Sequence, residues 1–489
     1  MKYGIRVPKD TEEAYKIDRD NNNTLWSEAI NKEVNALNSY KTFKFVNNND
    51  FKSLKKEGFQ FAKLRMIFDV KEDLRRKARL VIGGHTVDST GHEVYASVMK
   101  QHSSRIIEII AEANNLEILV GDIGNAYLYA KTREKIFTRC DQSFIKAGIT
   151  SEDKTLAIVE KALYGLPTSG NRWHNKLSSS LITMGFKPSK GDQNVWYRRS
   201  AGLYDYIGRH TDDLMVASKN AKAIMDTLQK TYDIKKIGPP GYHLVCDYFQ
   251  TKGRNGKIKW KIGSATYVKE CVAKVAKILS IELSQLHNQN KPLNPDYKPE
   301  LDNSPILEPG EQRIFQQLIG IGLWVQSIGR IDIAFAVASL SRFSAQPRKD
   351  HLGSIRNLFE YLKTFPDKRL IIEPQYNDDH GEVVKPPEGH KSFNQQYPDA
   401  FEQNEATHPK PLGVKLKTSV WFDANHAHDQ VTRRSISVII VYVGGTPITW
   451  KSRRQTAIYP STYGAELCAG RVVTEEAIGI SFLLRWSTN

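Results

Sequence analysis

The stretch from Tyr204 to Ala217 constrains the fold more than any other. Tyr204, Tyr206 and Ile207 lead into His210-Thr211-Asp212-Asp213, and Leu214-Met215-Val216-Ala217 returns. The pattern predicts two apolar strands joined by a tip that carries two adjacent carboxylates. Asp is common in turns, so a solvated acidic tip is one reading. The other starts from the repulsion between like charges held side by side, which a divalent cation relieves. A second apolar strand, Leu116-Glu117-Ile118-Leu119-Val120, delivers Asp122 at its end. Three carboxylates on neighbouring strands can hold two Mg²⁺ ions about 3.5–4 Å apart, one activating a hydroxyl oxygen and one holding phosphate oxygens. On this reading Asp122, Asp212 and Asp213 converge at one end of an antiparallel sheet.

The surroundings are strongly basic. Lys plus Arg number 70 against 54 Asp plus Glu, a net charge of +16, which favours a polyanion partner over an acidic protein or a membrane. Ten cations lie between Lys52 and Arg79, on a segment where Leu64, Met66 and Phe68 alternate and Leu80-Val81-Ile82 runs apolar. A cationic strand-turn-strand element follows from that pattern. The chain has no run of 18 apolar residues and no apolar leader at its start, so neither a membrane span nor a signal peptide is expected. Cys140, Cys246, Cys271 and Cys468 are scattered, which argues against a zinc site or disulfide framework and fits a reducing compartment.

Helices are expected from Thr24, as a cap, through Leu37, and over Ser103–Asn114, Asn171–Met184, Lys219–Tyr232, Thr266–Leu279 and Glu311–Phe343. Residues 371–417, rich in Pro, Gly and polar residues, read as a linker or insertion. A last unit from Thr418 reads strand, strand, strand, helix.

In order along the chain stand Trp26-Ser27-Glu28-Ala29-Ile30, Lys77-Ala78-Arg79-Leu80-Val81 and Asp122-Ile123-Gly124-Asn125-Ala126-Tyr127. Lys161-Ala162-Leu163-Tyr164-Gly165-Leu166 with Trp173 and the Asp212-Asp213 tip follow. Arg330 to Val337 with Leu340-Ser341-Arg342-Phe343, and Trp450 to Gln455 with Ser461-Thr462, complete the series. This series resembles the reverse transcriptase of copia-type long-terminal-repeat retrotransposons over almost the whole chain. The resemblance implies an α+β right-hand polymerase (fingers, palm and thumb) with a partial ribonuclease H-like α/β unit. It implies N-terminal helix and fingers over residues 1–100, palm over 101–250, thumb and connection helices over 251–370, the linker over 371–417 and the ribonuclease H-like unit over 418–489.

It also implies roles. Asp122, Asp212 and Asp213 would be the catalytic metal ligands for two Mg²⁺ ions, with Mn²⁺ as a substitute. Tyr127 would be the gate whose ring fills the space of a ribose 2′-hydroxyl, and Lys77 and Arg79 would reach the incoming triphosphate. The partners implied are an RNA template, a DNA primer, dNTP and an RNA/DNA hybrid. The setting implied is inside the cell, in cytoplasmic virus-like particles and the nucleus. Two positions next to the substrate depart from the family pattern: His210 stands where a Tyr precedes the acidic pair, and Thr168 where a Gln follows the Leu-Tyr-Gly-Leu loop. They imply either weakened or relaxed-fidelity synthesis or an inactive, nucleic-acid-binding relic.

In the last unit, Asp423 and Glu466 resemble two acids of a ribonuclease H site that needs about four. After Glu466 only Glu475 and Glu476 are acidic. At about 100° per residue the first points opposite Glu466 and the second about 80° away. Asp429 reads as structural. The expectation is a vestigial, C-terminally cut ribonuclease H unit with at most half its site.

Overall fold

The computed structural model describes residues 1–71, 73–252, 258–375, 395 and 409–487. The expected linker over 371–417 falls mostly outside these. The chain forms two compact units. One comprises Met1–Val98, Asp122–Lys187 and Gln229–Lys235, the other Met99–Gly121, Pro188–Leu228 and Lys236–Asn489. The architecture is mixed α and β. No helix among the described residues is long and apolar enough to cross a membrane.

In the first unit, the helix Leu25–Ser39 buries Trp26, Ile30, Val34 and Leu37, the stripe that its helical spacing requires. Thr24 does not cap it: the Thr24 hydroxyl donates to the Glu28 carboxylate instead. The free helical N–H groups of Trp26 and Ser27 are taken by Asp18, at 3.0 and 2.7 Å. Asp18 lies on a preceding helix, Thr11–Asp20, that the sequence pattern did not disclose. The apolar stripe packs on a two-stranded antiparallel ribbon, Leu64–Val70 with Arg76–Ile82, paired from Leu64↔Ile82 to Val70↔Arg76. Alternation puts Met66, Phe68, Val70, Ala78, Leu80 and Ile82 into the core. Trp26 and Phe68 meet edge to face at 5.5 Å.

In the second unit, the helix Gln101–Asn114 follows the expected segment. It is buried nearly all round from Ser103 to Ala111, as a helix between packed layers must be. Its isoleucines share one core with Tyr206, Met215 and Ala217 of the acidic hairpin and with Ile439, Val441, Val472 and Val473 of the last unit. A six-stranded sheet carries the hairpin, in the order Ile234–Gly238, Glu117–Ile123, Asp213–Ser218, Leu203–His210, Val195–Ser200, Lys187–Pro188.

The expected single helix from Glu311 to Phe343 is two. Pro309–Ser327 stops at Gly329, whose φ is +131°, and Ala334–Ser341 restarts after a short turn. Arg330 causes the break. Its guanidinium is fully buried and grips Asp332 through two bonds of 2.9 and 2.8 Å, a fork that the continuous helix would not allow. These helices pack with Ala265–Ile278 and with Lys349–Thr364, a helix not anticipated from the pattern.

The last unit is as read: strands Thr418–Asn425, Ile436–Val443 and Thr446–Arg454, paired antiparallel in that order, then the helix Thr462–Ser487. Asp429 is structural. Its buried carboxylate takes Arg342 and Arg454, each at 2.8 Å, and the Thr432 N–H at 2.7 Å. Burial opposes its ionisation, but these donors outweigh burial and hold the pKa down at about 2. A carboxyl whose pKa falls on folding stabilises the fold fully above its unfolded value of about 4, and that contribution is lost as pH drops through the folded value. Asp429→Asn should therefore cost about 2 kcal/mol at neutral pH and flatten the acid limb of stability between about pH 4 and 2. Urea denaturation across that range reads both effects.

Candidate active site

The acidic tip is a two-residue turn. His210 pairs with Asp213, leaving Thr211 and Asp212 as the connection. Such turns need positive φ at the first central position, where Gly, Asn or Asp is usual. Here it is Thr211, at φ +56°. For a β-branched residue this is strained, at a cost of about 1–3 kcal/mol, and strain of this kind collects at functional sites.

The root of the hairpin is locked. Gly208 packs closely under Met99: a Cβ there would lie 2.5 Å from Met99 Sδ, so the methionine would have to shift. Arg209 is buried beside it: its guanidinium donates to Asn194 Oδ1 at 2.9 Å, and its carbonyl accepts the Met99 N–H at 3.1 Å. Burial pushes the Arg209 pKa down to about 10. Asp192 takes the Lys100 N–H at 3.1 Å and the Ser103 hydroxyl at 2.7 Å. His210, Thr211, Asp212 and Asp213 themselves are half-buried. His243 is buried near His210, and burial first and His210 second push its pKa down to about 4.

Asp122 is the sixth of seven residues of Glu117–Ile123, which neighbours the strand that Asp213 begins. Among the described residues, no group of three or more His, Cys, Asp or Glu side chains is arranged to hold a metal ion.

Past Asp122 the chain turns through Asn125, at φ +54°, into a single 3₁₀ turn, Ala126–Tyr129, that leaves Tyr127 half-buried. The Tyr127 ring lies 4.8 Å from that of Tyr164, tilted by 46°. The Arg79 guanidinium lies over the Tyr164 ring, 4.1 Å from its centre. The loop bearing Tyr164 is fixed on two sides: Ala162 N–H donates to Ala130 O at 2.9 Å, and Ile82 N–H donates to Tyr164 O at 2.8 Å. Gly165 has φ +100°, and a Cβ on it would sit 2.1 Å from Ile82 O, so only glycine permits this approach.

Lys77 and Arg79, two residues apart on their strand, share the face away from the core. Burial, then Arg79 and Lys71, lower the Lys77 pKa, with Glu33 and Asp69 pulling the other way. An anion bound there would relieve that crowding.

Thr168 is placed differently from the rest. It is buried at the start of the helix Ser169–Thr183, and its hydroxyl donates to Glu134. That makes it an anchor for the helix, with no surface offered to a substrate. Asp423 is exposed, and Glu466 Oε1 accepts the N–H of the next residue, Ala424, at 3.1 Å. Glu475 pairs with Arg471 at 3.8 Å and Glu476 with Lys451. The sequence reading missed Asn194 and Asp192 behind the hairpin and the part played by Tyr164. No motif announces the first two. Tyr164 sits in a quoted motif, but only the fold puts it against Arg79.

Residues 40–282 match the family described as reverse transcriptase (RNA-dependent DNA polymerase). The chain is 24% identical over 472 residues to the retrovirus-related Pol polyprotein from transposon TNT 1-94 of Nicotiana tabacum, covering 94% of this chain and 31% of that one. It is 23% identical to the Pol polyprotein from transposon RE1 of Arabidopsis thaliana, over 80% of this chain and 23% of that one. It is 26% identical to the transposon Ty1-BL Gag-Pol polyprotein of Saccharomyces cerevisiae, over 75% and 21%. The chain thus spans about a third or less of these three polyproteins. A foamy viral protease-reverse transcriptase, solved in complex with double-stranded DNA, aligns at a TM-score of 0.42 and 13% identity over 88% of this chain and 59% of that one.

Replacing Thr211 by Asn, which tolerates positive φ, should raise stability by about 1 kcal/mol with the hairpin intact. A shift of the denaturation midpoint at constant m-value checks it.

Proposed function

We propose that this chain, whose residues 40–282 belong to the copia-type retrotransposon reverse transcriptases, is the RNA-directed DNA polymerase portion of a Pol polyprotein, with fingers, palm and thumb and a partial ribonuclease H unit. The observation that carries this reading is the strained two-residue turn that holds Asp212 and Asp213 at the start of a strand flanked by the strand of Asp122. The reaction is attack of a primer 3′-hydroxyl on the α-phosphorus of a dNTP, with release of pyrophosphate, directed by an RNA template. Asp122, Asp212 and Asp213 are the residues that would hold the metal; brought together, their carboxylates would offer only oxygen donors, which suits hard ions, two Mg²⁺ or, in their place, Mn²⁺. An ion held by these carboxylates would supply charge neutralisation at the transferring phosphoryl group and a lower pKa for the attacking hydroxyl.

The protein's own groups do the rest. Lys77 and Arg79 draw the triphosphate to the cationic face of their ribbon, and Tyr127 sets its ring against the sugar. His210, next to the acidic turn, would lie against the primer end. Phosphoryl transfer depends mostly on positioning and charge, so no side chain has to form a bond to phosphorus. The product, an RNA/DNA hybrid, would pass to the Asp423 and Glu466 region. All four cysteines are free thiols, which fits work inside the cell, in cytoplasmic virus-like particles and the nucleus.

A second reading, a nucleic-acid-binding relic without chemistry, is favoured by one observation: Thr168 is turned to Glu134, so the position that the family pattern gives to Gln presents nothing to a nucleotide. Primer extension on an RNA template with Mg²⁺ separates the two. The polymerase extends, and Asp213→Asn lowers the rate by about 10³-fold or more. A relic binds primer–template and never extends it.

Binding itself should depend steeply on salt. Each phosphate neutralised by the cations between Lys52 and Arg79 adds about −0.9 to the slope of log affinity against log salt. Lys77→Ala should reduce that slope by about one unit, which titrations at several salt concentrations would show.

A further inference from the structure

We infer that Tyr164 is a specificity-determining residue for the nucleotide sugar, acting by holding Tyr127 in place; the inference rests on the reading of Tyr127 as the residue that faces the sugar. A ring that rejects a hydroxyl by filling its space works only if the ring cannot swing aside. Tyr127 stands on a single 3₁₀ turn, Ala126–Tyr129, too short to fix a half-buried side chain by itself. Tyr164 packs against it, its ring 4.8 Å from that of Tyr127.

The support is itself held. The Arg79 guanidinium lies 4.1 Å from the centre of the Tyr164 ring, a cation over an aromatic face. The Tyr164 backbone is bonded to Ile82, three residues beyond Arg79 on the same strand, at 2.8 Å. Ala162, two residues before Tyr164, is bonded to Ala130, three residues beyond Tyr127, at 2.9 Å. The loop therefore ties the strand that presents Arg79 to the turn that presents Tyr127. Leu163, between them, is fully buried, and Ser169 donates to its carbonyl at 2.7 Å, so the tie has no slack.

The arrangement has a consequence for selectivity. Arg79 is read as a ligand of the triphosphate. A nucleotide that engages Arg79 also sets the cation that rests on Tyr164, and through it the wall against the sugar. Phosphate binding and sugar rejection are joined by one ring. Tyr164 touches neither phosphate nor sugar on this reading; it is a positioning residue.

The test compares deoxyribonucleotide with ribonucleotide in single-turnover primer extension by the full chain, for Tyr164→Phe, Tyr164→Leu, Tyr127→Ala and the double variant Tyr164→Leu/Tyr127→Ala. Tyr164→Phe keeps the ring contact and should keep the parent's selectivity. Tyr164→Leu keeps bulk for folding but loses the flat ring, and should relax selectivity by about tenfold. The double variant should be no less selective than Tyr127→Ala alone, because Tyr164 acts through Tyr127. If Tyr127→Ala relaxes selectivity and Tyr164→Leu does not, the inference is overturned and the gate stands. If Tyr127→Ala still rejects ribonucleotides, both fall. A parent that fails to extend a primer counts against the polymerase reading alone. Equilibrium binding of dATP against ATP to the protein–primer–template complex then carries the same comparison without turnover, and equal preference in the parent and Tyr164→Leu overturns the inference.

Discussion

Two residues, Thr211 and Asp212, set the register of the hairpin, and much of the second unit follows from that register. Side chains alternate faces with a period of two, so one more residue in the turn would exchange the two faces of every residue in the returning strand. As it stands, Tyr206, Met215 and Ala217 meet the isoleucines of Gln101–Asn114, and Gly208 leaves room for Met99. Asp213 becomes the first residue of a strand rather than part of a loose loop. The strain at Thr211 is tolerated because the strands on either side are buried on both faces and leave the turn no alternative.

Two of the stretches that carry the resemblance, around Arg330 and around Trp450, are built around arginine contacts within the fold. Arg330 grips Asp332, which also takes the Tyr361 hydroxyl at 2.7 Å. Arg342 and Arg454 share Asp429. Arg105 donates to the carbonyls of Ser327 and Ile448, at 2.7 and 2.9 Å, and lies over the ring of Trp450. Arg105 and Arg342 each join segments far apart in sequence with more than one directed bond, Arg342 through Asp429 and Glu300. A lysine could not copy that, since it offers one point charge and no planar fork.

The sequence was most legible where periodicity is strong and tertiary demands agree with it. The Trp26 helix, the Leu64–Ile82 ribbon, the acidic hairpin and the strand-strand-strand-helix order of the last unit all emerge from apolar spacing. Legibility failed where a distant group overrode the local signal. Thr24 has the chemistry of a helix cap, but Asp18 from another helix takes the N–H groups. Residues 311–343 have helical spacing throughout, but a buried Arg330 needs its carboxylate two residues on. The hairpin tip that carries Asp212 and Asp213 was legible from the apolar runs on either side of it. Tyr164 was not, because aromatic residues in turn-rich loops are ordinary and its two ring contacts come from residues 37 and 85 positions away. Thr168 reads as a residue next to the substrate in place of Gln, and only the fold shows it turned inward to Glu134.

The Arg105 bond to Ile448 has a further consequence during synthesis. The two residues lie 343 positions apart. At about 5–20 residues per second, the ribosome needs roughly 17–70 s to make the second after the first. Through that interval the isoleucine face of Gln101–Asn114 has no Ile439, Val441 or Val472 to cover it. The nascent chain thus carries a sticky helix for far longer than local folding takes, and its yield in a cell should depend on how well chaperones shield that one segment until the last unit emerges.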